Sequence, residues 1–284
     1  VAIDYDQITA YQVPEFESTY DERDTMLYAL GLGLGADPLD AQQLKYVYED
    51  DLSALPTMAV CLAWLPNWLP KVGVNYLKVL HGEQRLVLER PLPTAATVVA
   101  RHRVVDVFDK GADKGALVIS EQQIFEKQSM DRLCTITSTT FARGDGGFGG
   151  KSGPAPQPHP MPEGPPEAVC DLATVPQAAL IYRLSGDRNP LHADPVVADK
   201  AGFGKPILHG LCTYGVAGHA VLKTMCDYDP TGFTGFDVRF SAPVYPGETI
   251  RTEMWREDGV VSFRARVVER DVMVINNGKA EITD

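Results

Sequence analysis

Tyr182-Arg-Leu-Ser-Gly-Asp-Arg-Asn-Pro-Leu-His-Ala-Asp-Pro195 is the stretch around which the rest of the chain is read. It sets a carboxylate, Asp187, five residues before an imidazole, His192, with Asn189 and Pro190 between them. Gly186 and Pro190 disfavour a regular helix, so the segment reads as a structured loop that can fold both groups toward one point. Asp194-Pro195 then reads as the N-cap and first residue of a following helix, with Val196 to Ala201 as its first turns. About a dozen residues on, Leu208-His-Gly-Leu-Cys-Thr-Tyr-Gly215 reads as a second helix start with Gly210 in its first turn. The pair Asp187 and His192 is an acid/base dyad facing a helix N-terminus, where backbone N–H groups can hold developing negative charge.

Working outward, the chain repeats itself. Tyr28-Ala-Leu-Gly31 aligns with Tyr182-Arg-Leu-Ser185 at an offset of 154, Leu55 to Met58 with Leu208 to Leu211 at 153, and Pro91-Leu-Pro93 with Pro243 to Pro246 at 152. Three weak matches in one order at nearly one offset indicate a duplicated unit. Where the second copy has Asp187 to His192, the first has Gly31 to Leu39, with no histidine. One half is therefore expected to do chemistry and the other to supply binding space. Gly31-Leu-Gly-Leu-Gly35 is no dinucleotide fingerprint, because no strand precedes it and no helix clearly opens from it.

Each half reads as a helix followed by long alternating strands. Residues 1 to 20 look polar and irregular, Glu22 to Gly31 is a short helix, and 56 to 69 a buried helix carrying Met58, Val60, Leu62 and Trp64. Strands are expected at Tyr76–Leu80, Leu86–Glu89, Thr97–Phe108, Ala116–Glu126 and Leu133–Ala142. In the second half they are expected at Phe236–Phe240, Thr249–Arg256, Val260–Glu269, Asp271–Asn276 and Gly278–Ile282. Between the halves, five glycines from Gly144 to Gly150 and seven prolines from Pro154 to Pro166 make a surface linker that cannot build a core. The expected division is residues 1–143, linker 144–166, and 167–284. Small residues along the second helix (Gly210, Gly215, Ala217, Gly218, Ala220) let strands approach closely, so a helix wrapped by a curved antiparallel sheet, used twice, is the α+β architecture that fits.

The 284 residues carry a net charge of −12, which disfavours nonspecific nucleic-acid or anionic-membrane binding but leaves room for a local basic patch. Cys61, Cys134, Cys170, Cys212 and Cys226 are scattered among apolar neighbours, as reduced thiols of an intracellular protein are. No apolar run approaches the ~18 residues of a membrane span. The first residue is Val1, which points to a piece of a longer or processed chain, and Ile282-Thr-Asp284 is no peroxisomal tripeptide.

These residues resemble the R-specific enoyl-CoA hydratase family, hydratase 2, of the hot-dog superfamily. Tyr182, Leu184, Ser185, Gly186, Asp187, Asn189, Pro190, Leu191, His192, Asp194 and Pro195 match its motif, and Leu208–Leu211 with Arg239–Thr249 extend the match. The doubled arrangement is similar to the hydratase part of the peroxisomal multifunctional enzymes of type 2. The resemblance implies a double hot-dog fold and reversible hydration of trans-2-enoyl-CoA to the (3R)-3-hydroxyacyl-CoA. It further implies a homodimer, fusion to short-chain dehydrogenase domains, peroxisomal location, and no metal or redox cofactor. Asp187 and His192 would move protons, Asn189 would hold the water or orient the dyad, and the Gly210 amide would bind the thioester oxygen. Arg188, Pro190 and Leu191 share the loop and are expected beside the substrate, as is Phe240. His81-Gly82 either contacts substrate or only turns the chain, and Lys110 is a candidate for a CoA phosphate or a solvated turn lysine. His209 reads as a helix cap, and Met58, Trp64, Trp68 and Tyr76 as core. A thioesterase or a noncatalytic acyl-CoA carrier on the same fold is the competing function.

Overall fold

The computed structural model describes residues 3–65 and 68–283. The first half opens with helix α1 (Tyr5–Ala10), strand β1 (Gln12–Tyr20), helix α2 (Glu22–Gly31) and the single turn α3 (Ala41–Leu44). Strands β2 (Val79–Leu88), β3 (Ala96–Asp109), β4 (Ala116–Glu126) and β5 (Arg132–Ala142) follow. The second half has β6 (Ala168–Ala173), helices α4 (Ala178–Tyr182), α5 (Pro195–Lys200) and α6 (Gly210–Met225), then β7 (Phe233–Phe240), β8 (Thr249–Glu257), β9 (Val260–Val267) and β10 (Val272–Ile282). The ten strands form one antiparallel sheet in the order β1-β3-β4-β5-β2-β7-β10-β9-β8-β6. Read from the centre outward, β2-β5-β4-β3-β1 and β7-β10-β9-β8-β6 are the same topology, so the sheet carries the duplication. The halves join at β2 and β7, where Glu83 faces Arg239 and Arg85 faces Asp237, opposite charges on directly paired residues.

Helix α6 is the axis of the core. Every residue from Leu211 to Leu222 is buried, so the helix is enclosed by protein on all sides. The sheet covers one side and the first half covers the rest. A Cβ on Gly215 would lie 2.7 Å from Leu32 and 2.9 Å from the Tyr28 hydroxyl, and one on Gly218 would lie 2.4 Å from Thr57. The glycines are there because elements of the first half touch the helix backbone. Tyr28 and Tyr182, equivalent in the duplication, meet with ring centroids 6.0 Å apart.

The structure corrects several sequence expectations. The long buried helix over 56–69 is a six-residue 3-10 helix, Pro56–Cys61, and residues 66 and 67 lie outside the described set. Pro56 suits a first turn, but Pro66 and Pro70 each lack a donor and push the residue before them away from the α region. Among the described residues, the second half has the sixteen-residue α6 where the first has this short 3-10 helix. The expected irregular stretch 1–20 contains α1 and β1. Strand β1 sits on the sheet edge against β3, with Pro14 near a register shift between Val13 and Phe16. The strand expected at Tyr76–Leu80 begins as a 3-10 turn and runs on unbroken to Leu88, so His81-Gly82 lies inside β2 rather than before it. The two strands expected after Asp271 are one, β10, with register shifts that absorb Asn277-Gly278. Strand β6 is a further addition.

Residues 144–166 hold no helix or strand but are tied down. The Asp109 carboxylate accepts N–H bonds from Gly111, Gly147 and Gly149 at 2.7–2.8 Å, which hold it below the usual carboxylate range. Further along, the Trp255 indole donates to Pro165 O at 2.9 Å and Asn277 donates to His159 O at 2.8 Å. All five cysteines are free thiols.

Candidate active site

The dyad loop is built from short turns, each closed by a side chain. After α4 a 3-10 turn, Arg183–Ser185, ends at Gly186, whose φ of 131° only glycine adopts freely. A Cβ at Gly186 would also lie 3.1 Å from Trp64 of the first half. Asp187 Oδ1 then accepts from Asn189 N at 3.0 Å, and Asn189 Oδ1 accepts from Leu191 N at 3.0 Å. Two consecutive Asx turns thus swing the chain so that Asp187 and His192 converge. Pro190 opens the 3-10 turn Pro190–His192, and Asp194 caps α5 by accepting from Val196 N at 2.8 Å. With Asn189 Oδ1 spent on the backbone, its amide nitrogen is the group left to address a ligand.

His192 is buried and donates from Nδ1 to Ile207 O at 2.9 Å, because a carbonyl can only accept. That fixes the tautomer and leaves Nε2 with a bare lone pair. Burial lowers its pKa below 6.5, opposed by the Ile207 bond and the nearby Asp187 charge. His209 stacks on it, ring centroids 3.8 Å apart and planes at 29°. His209 Nε2 lies 3.1 Å from Asp187 O, and its buried Nδ1 has no protein partner. Burial first, then the neighbouring His192, pushes His209 down to about 3. Both imidazoles are neutral at pH 7. The donor atoms of Asp187, His192 and His209 lie within 4.8 Å of one another, the one group among the described residues whose spacing could hold a metal ion.

Gly210 follows directly as the first residue of the sixteen-residue α6, so its N–H is among those without an intrahelical partner. His209 occupies the N-cap position but makes no side-chain cap bond, which overturns its reading as a cap. A Cβ on Gly210 would sit 3.5 Å from the Phe240 ring, and Phe240 lies 4.9 Å from the His81 ring. Phe240 therefore reaches the helix start, and His81 packs against Phe240. Burial lowers His81 to about 4, and its Nε2 has no partner. Gly82 sits at a register shift where a Cβ would approach Thr139 O to 3.1 Å, a reason for glycine that involves no ligand. Lys110 is not brought to the dyad: its ammonium donates to Ser152 O at 2.6 Å beside the Phe108 ring.

Two cavities flank the loop. One of about 370 Å³ is lined by Trp64, Leu65, Trp68, Leu69, Tyr76 and Gly186–Asn189, placing Asp187, Arg188 and Asn189 on its wall. The other, about 190 Å³, runs beneath β1 and α2 past Tyr28, Met58, Cys61 and Trp64 to Leu184–Gly186. Trp64 borders both. Trp64 and Tyr76, read from sequence as core, are each 39% exposed on the cleft, because the first half has no long helix to bury them. Met58 and Trp68 are buried as expected, while the exposed Pro190 and half-buried Leu191 line neither cavity. His209 is the residue that sequence reasoning missed, and its only signal was position, directly before the helix-opening glycine.

Residues 18–144 match the MFE-2 hydratase 2 N-terminal domain and residues 158–278 the MaoC like domain. The peroxisomal enoyl-CoA hydratase 2 of Arabidopsis thaliana is 41% identical over 288 residues, covering 95% of this chain and 93% of that one. The chain belongs to the enoyl-CoA hydratase 2 family. The peroxisomal multifunctional enzyme type 2 of Mus musculus is 39% identical over 96% of this chain, which spans 38% of that longer protein. The crystal structure of a MaoC-like dehydratase from Phytophthora capsici superposes with a TM-score of 0.87 at 36% identity, covering 98% of both chains. The double hot-dog architecture is thus that of the hydratase 2 family, and the dyad loop and α6 fall in its MaoC like part.

Proposed function

We propose that this chain is an (R)-specific 2-enoyl-CoA hydratase, a hydro-lyase that adds water reversibly to trans-2-enoyl-CoA and yields the (3R)-3-hydroxyacyl-CoA. The observation that carries the reading is the convergence, at one helix start, of a carboxylate, an imidazole with a free Nε2 and an unpaired backbone N–H. The thioester oxygen lies at the Gly210 N–H, where the helix dipole stabilises the enolate that forms as water attacks the β-carbon. Asp187 and the Asn189 amide hold the water. His192 Nε2 takes its proton as the oxygen–β-carbon bond forms, and the resulting imidazolium returns a proton to the α-carbon on the same face. Oxygen and hydrogen thus add syn, and the imidazole ends neutral. The chemistry needs only these groups.

The division of labour follows the duplication. Residues 167–284 carry the catalysis, 144–166 link, and 1–143 are a degenerate repeat that holds the acyl tail in the cavity along Met58. The cleft past Tyr76 and Arg188 leads the CoA moiety outward. His81 and Phe240 border the thioester, and Lys110, at the β3–β4 turn, meets a phosphate only if it leaves Ser152. The place of this chain is peroxisomal β-oxidation, as a homodimer and as one part of a longer chain with short-chain dehydrogenase domains.

The test is incubation with trans-2-decenoyl-CoA, following enoyl absorbance and free thiol together. Loss of absorbance without thiol is the expected result. Thiol release would make the chain a thioesterase, and neither change would make it a carrier. An (S)-specific 3-hydroxyacyl-CoA dehydrogenase should leave the product unoxidised, and its oxidation would overturn the 3R assignment.

A further inference from the structure

His209 is an odd residue to bury. It is 1% exposed, one of its ring nitrogens has no partner, and an unpaired buried polar atom costs free energy. A phenyl ring would stack on His192 as well and would carry no such penalty. What a phenyl ring cannot do is donate to the main-chain oxygen of Asp187. The 3.1 Å bond from His209 Nε2 is one that only a donor can supply. The ring therefore makes two contacts that matter to the dyad: its face lies on His192, and its edge holds the backbone of Asp187. Its own main chain continues into Gly210. Tyr182 closes the far side, ring centroid 5.1 Å away, and its hydroxyl is taken by Cys61 Sγ at 3.2 Å.

We propose that His209 is a positioning residue, one imidazole that locks the Asp187 backbone, the plane of the His192 ring and the Gly210 amide into a single geometry. This rests on the hydration reading above and deepens it. The dyad and the oxyanion donor come from different segments, residues 187–192 and the start of α6. Hydration requires them to keep one spacing, because proton transfer and enolate stabilisation occur on the same substrate. A displacement of about 1 Å at such a site costs on the order of 10² in rate. His209 joins the two segments without occupying the substrate's space. It also shields the His192 ring from solvent, so His192 remains a neutral acceptor. The charged groups that act on this imidazole pair are Asp187, which acts on His192, and Arg183, which acts on His209; the Asp187 charge also helps to raise the Cys61 thiol.

The experiment compares His209→Phe and His209→Gln with the parent chain in the decenoyl-CoA assay, alongside Asp187→Ala and His192→Ala. Phenylalanine keeps the stack and loses the donor. Glutamine places an amide N–H near the Nε2 position and loses the stack. We expect His209→Phe to lower kcat roughly 10²-fold with KM within about threefold. His209→Gln should recover about tenfold of that loss, while its acid limb of kcat/KM moves up toward the ordinary histidine value. Unchanged kcat and pH profile in a folded His209→Phe, or no advantage for glutamine, would overturn the proposal. If phenylalanine prevents folding, the glutamine variant decides alone: a parent-like pH profile and kcat in it would be the overturning result. Full activity in Asp187→Ala and His192→Ala would instead sink the hydration mechanism itself, so the two failures are distinguishable.

Discussion

The two halves of this molecule share a strand order and differ most in one helix. In the second, α6 runs for sixteen residues through the core; in the first, the corresponding segment is the six-residue 3-10 helix Pro56–Cys61. The loops before them differ in the same sense. The second half has Asp187 to His192, held by two Asx turns; the first has Gly31 to Leu39, with positive φ at Gly33 and Gly35 and no acid/base pair. A long helix offers a fixed row of unpaired N–H groups, and a loop before it can aim side chains at them. A short 3-10 turn offers neither and leaves room beside it, which is where the cavity past Met58 lies. On the function proposed above, the comparison teaches that a duplicated fold can divide binding from chemistry through the length of one helix.

The largest expected effect falls on the catalytic half. Asp187→Ala and His192→Ala should each lower the hydration rate by roughly 10² to 10⁴ while thermal unfolding stays near that of the parent. Comparable loss from substitutions at Asp37 in the first half would erase the asymmetry. Asn189→Ala should be milder, about tenfold in kcat, because the amide orients rather than transfers a proton. A loss as deep as that of Asp187→Ala would put it in the proton path.

The first half is tested by chain length. Met58→Trp fills the 190 Å³ cavity and should depress decenoyl-CoA turnover severalfold while sparing crotonyl-CoA. Each buried methylene contributes about 0.8 kcal/mol, so the discrimination should grow with the acyl chain. Equal loss on both substrates would make the first half scaffold. The packing of one half against the other is tested by Gly215→Ala, whose Cβ would overlap Leu32. It should destabilise by about 1–3 kcal/mol, read as a drop in Tm, with little change in KM for the folded fraction. An unchanged Tm would mean that Leu32 yields freely.

The final test is pH. Burial lowers His81, His102 and His219 to about 4 and His209 to about 3, all below the value of 6.5 in an unfolded chain. The unfolded state therefore binds more protons between these limits. Stability from these groups is full above pH 6.5 and is lost as pH falls toward 4, by at most about 1.4 kcal/mol per pH unit for each. Urea unfolding at pH 7.5 and 5 should show the loss, and equal midpoints would contradict it. Neutral His192 likewise places the acid limb of kcat/KM below pH 6.5.

By itself the sequence determined the dyad loop, the duplication and most strands, because these rest on local rules. Gly186 and Pro190 forbid a helix, Asp194-Pro195 starts one, and alternation over Ala116–Glu126 gives a strand whose bounds the structure reproduces. What the tertiary structure decided were the elements whose fate depends on neighbours. The apolar run from Pro56 to Leu65 had the composition of a buried helix, but α6 already fills the core, and the prolines at 66 and 70 end the run. Strand β1 carries too little apolar pattern to be read alone and exists by pairing with β3. His209 looked like a cap from its place before Gly210, and only folding set its ring on His192 and its nitrogen on the Asp187 carbonyl. Local chemistry is legible when a residue acts on its own turn, and it is not when its partner lies 17 or 22 residues away and is brought in by packing.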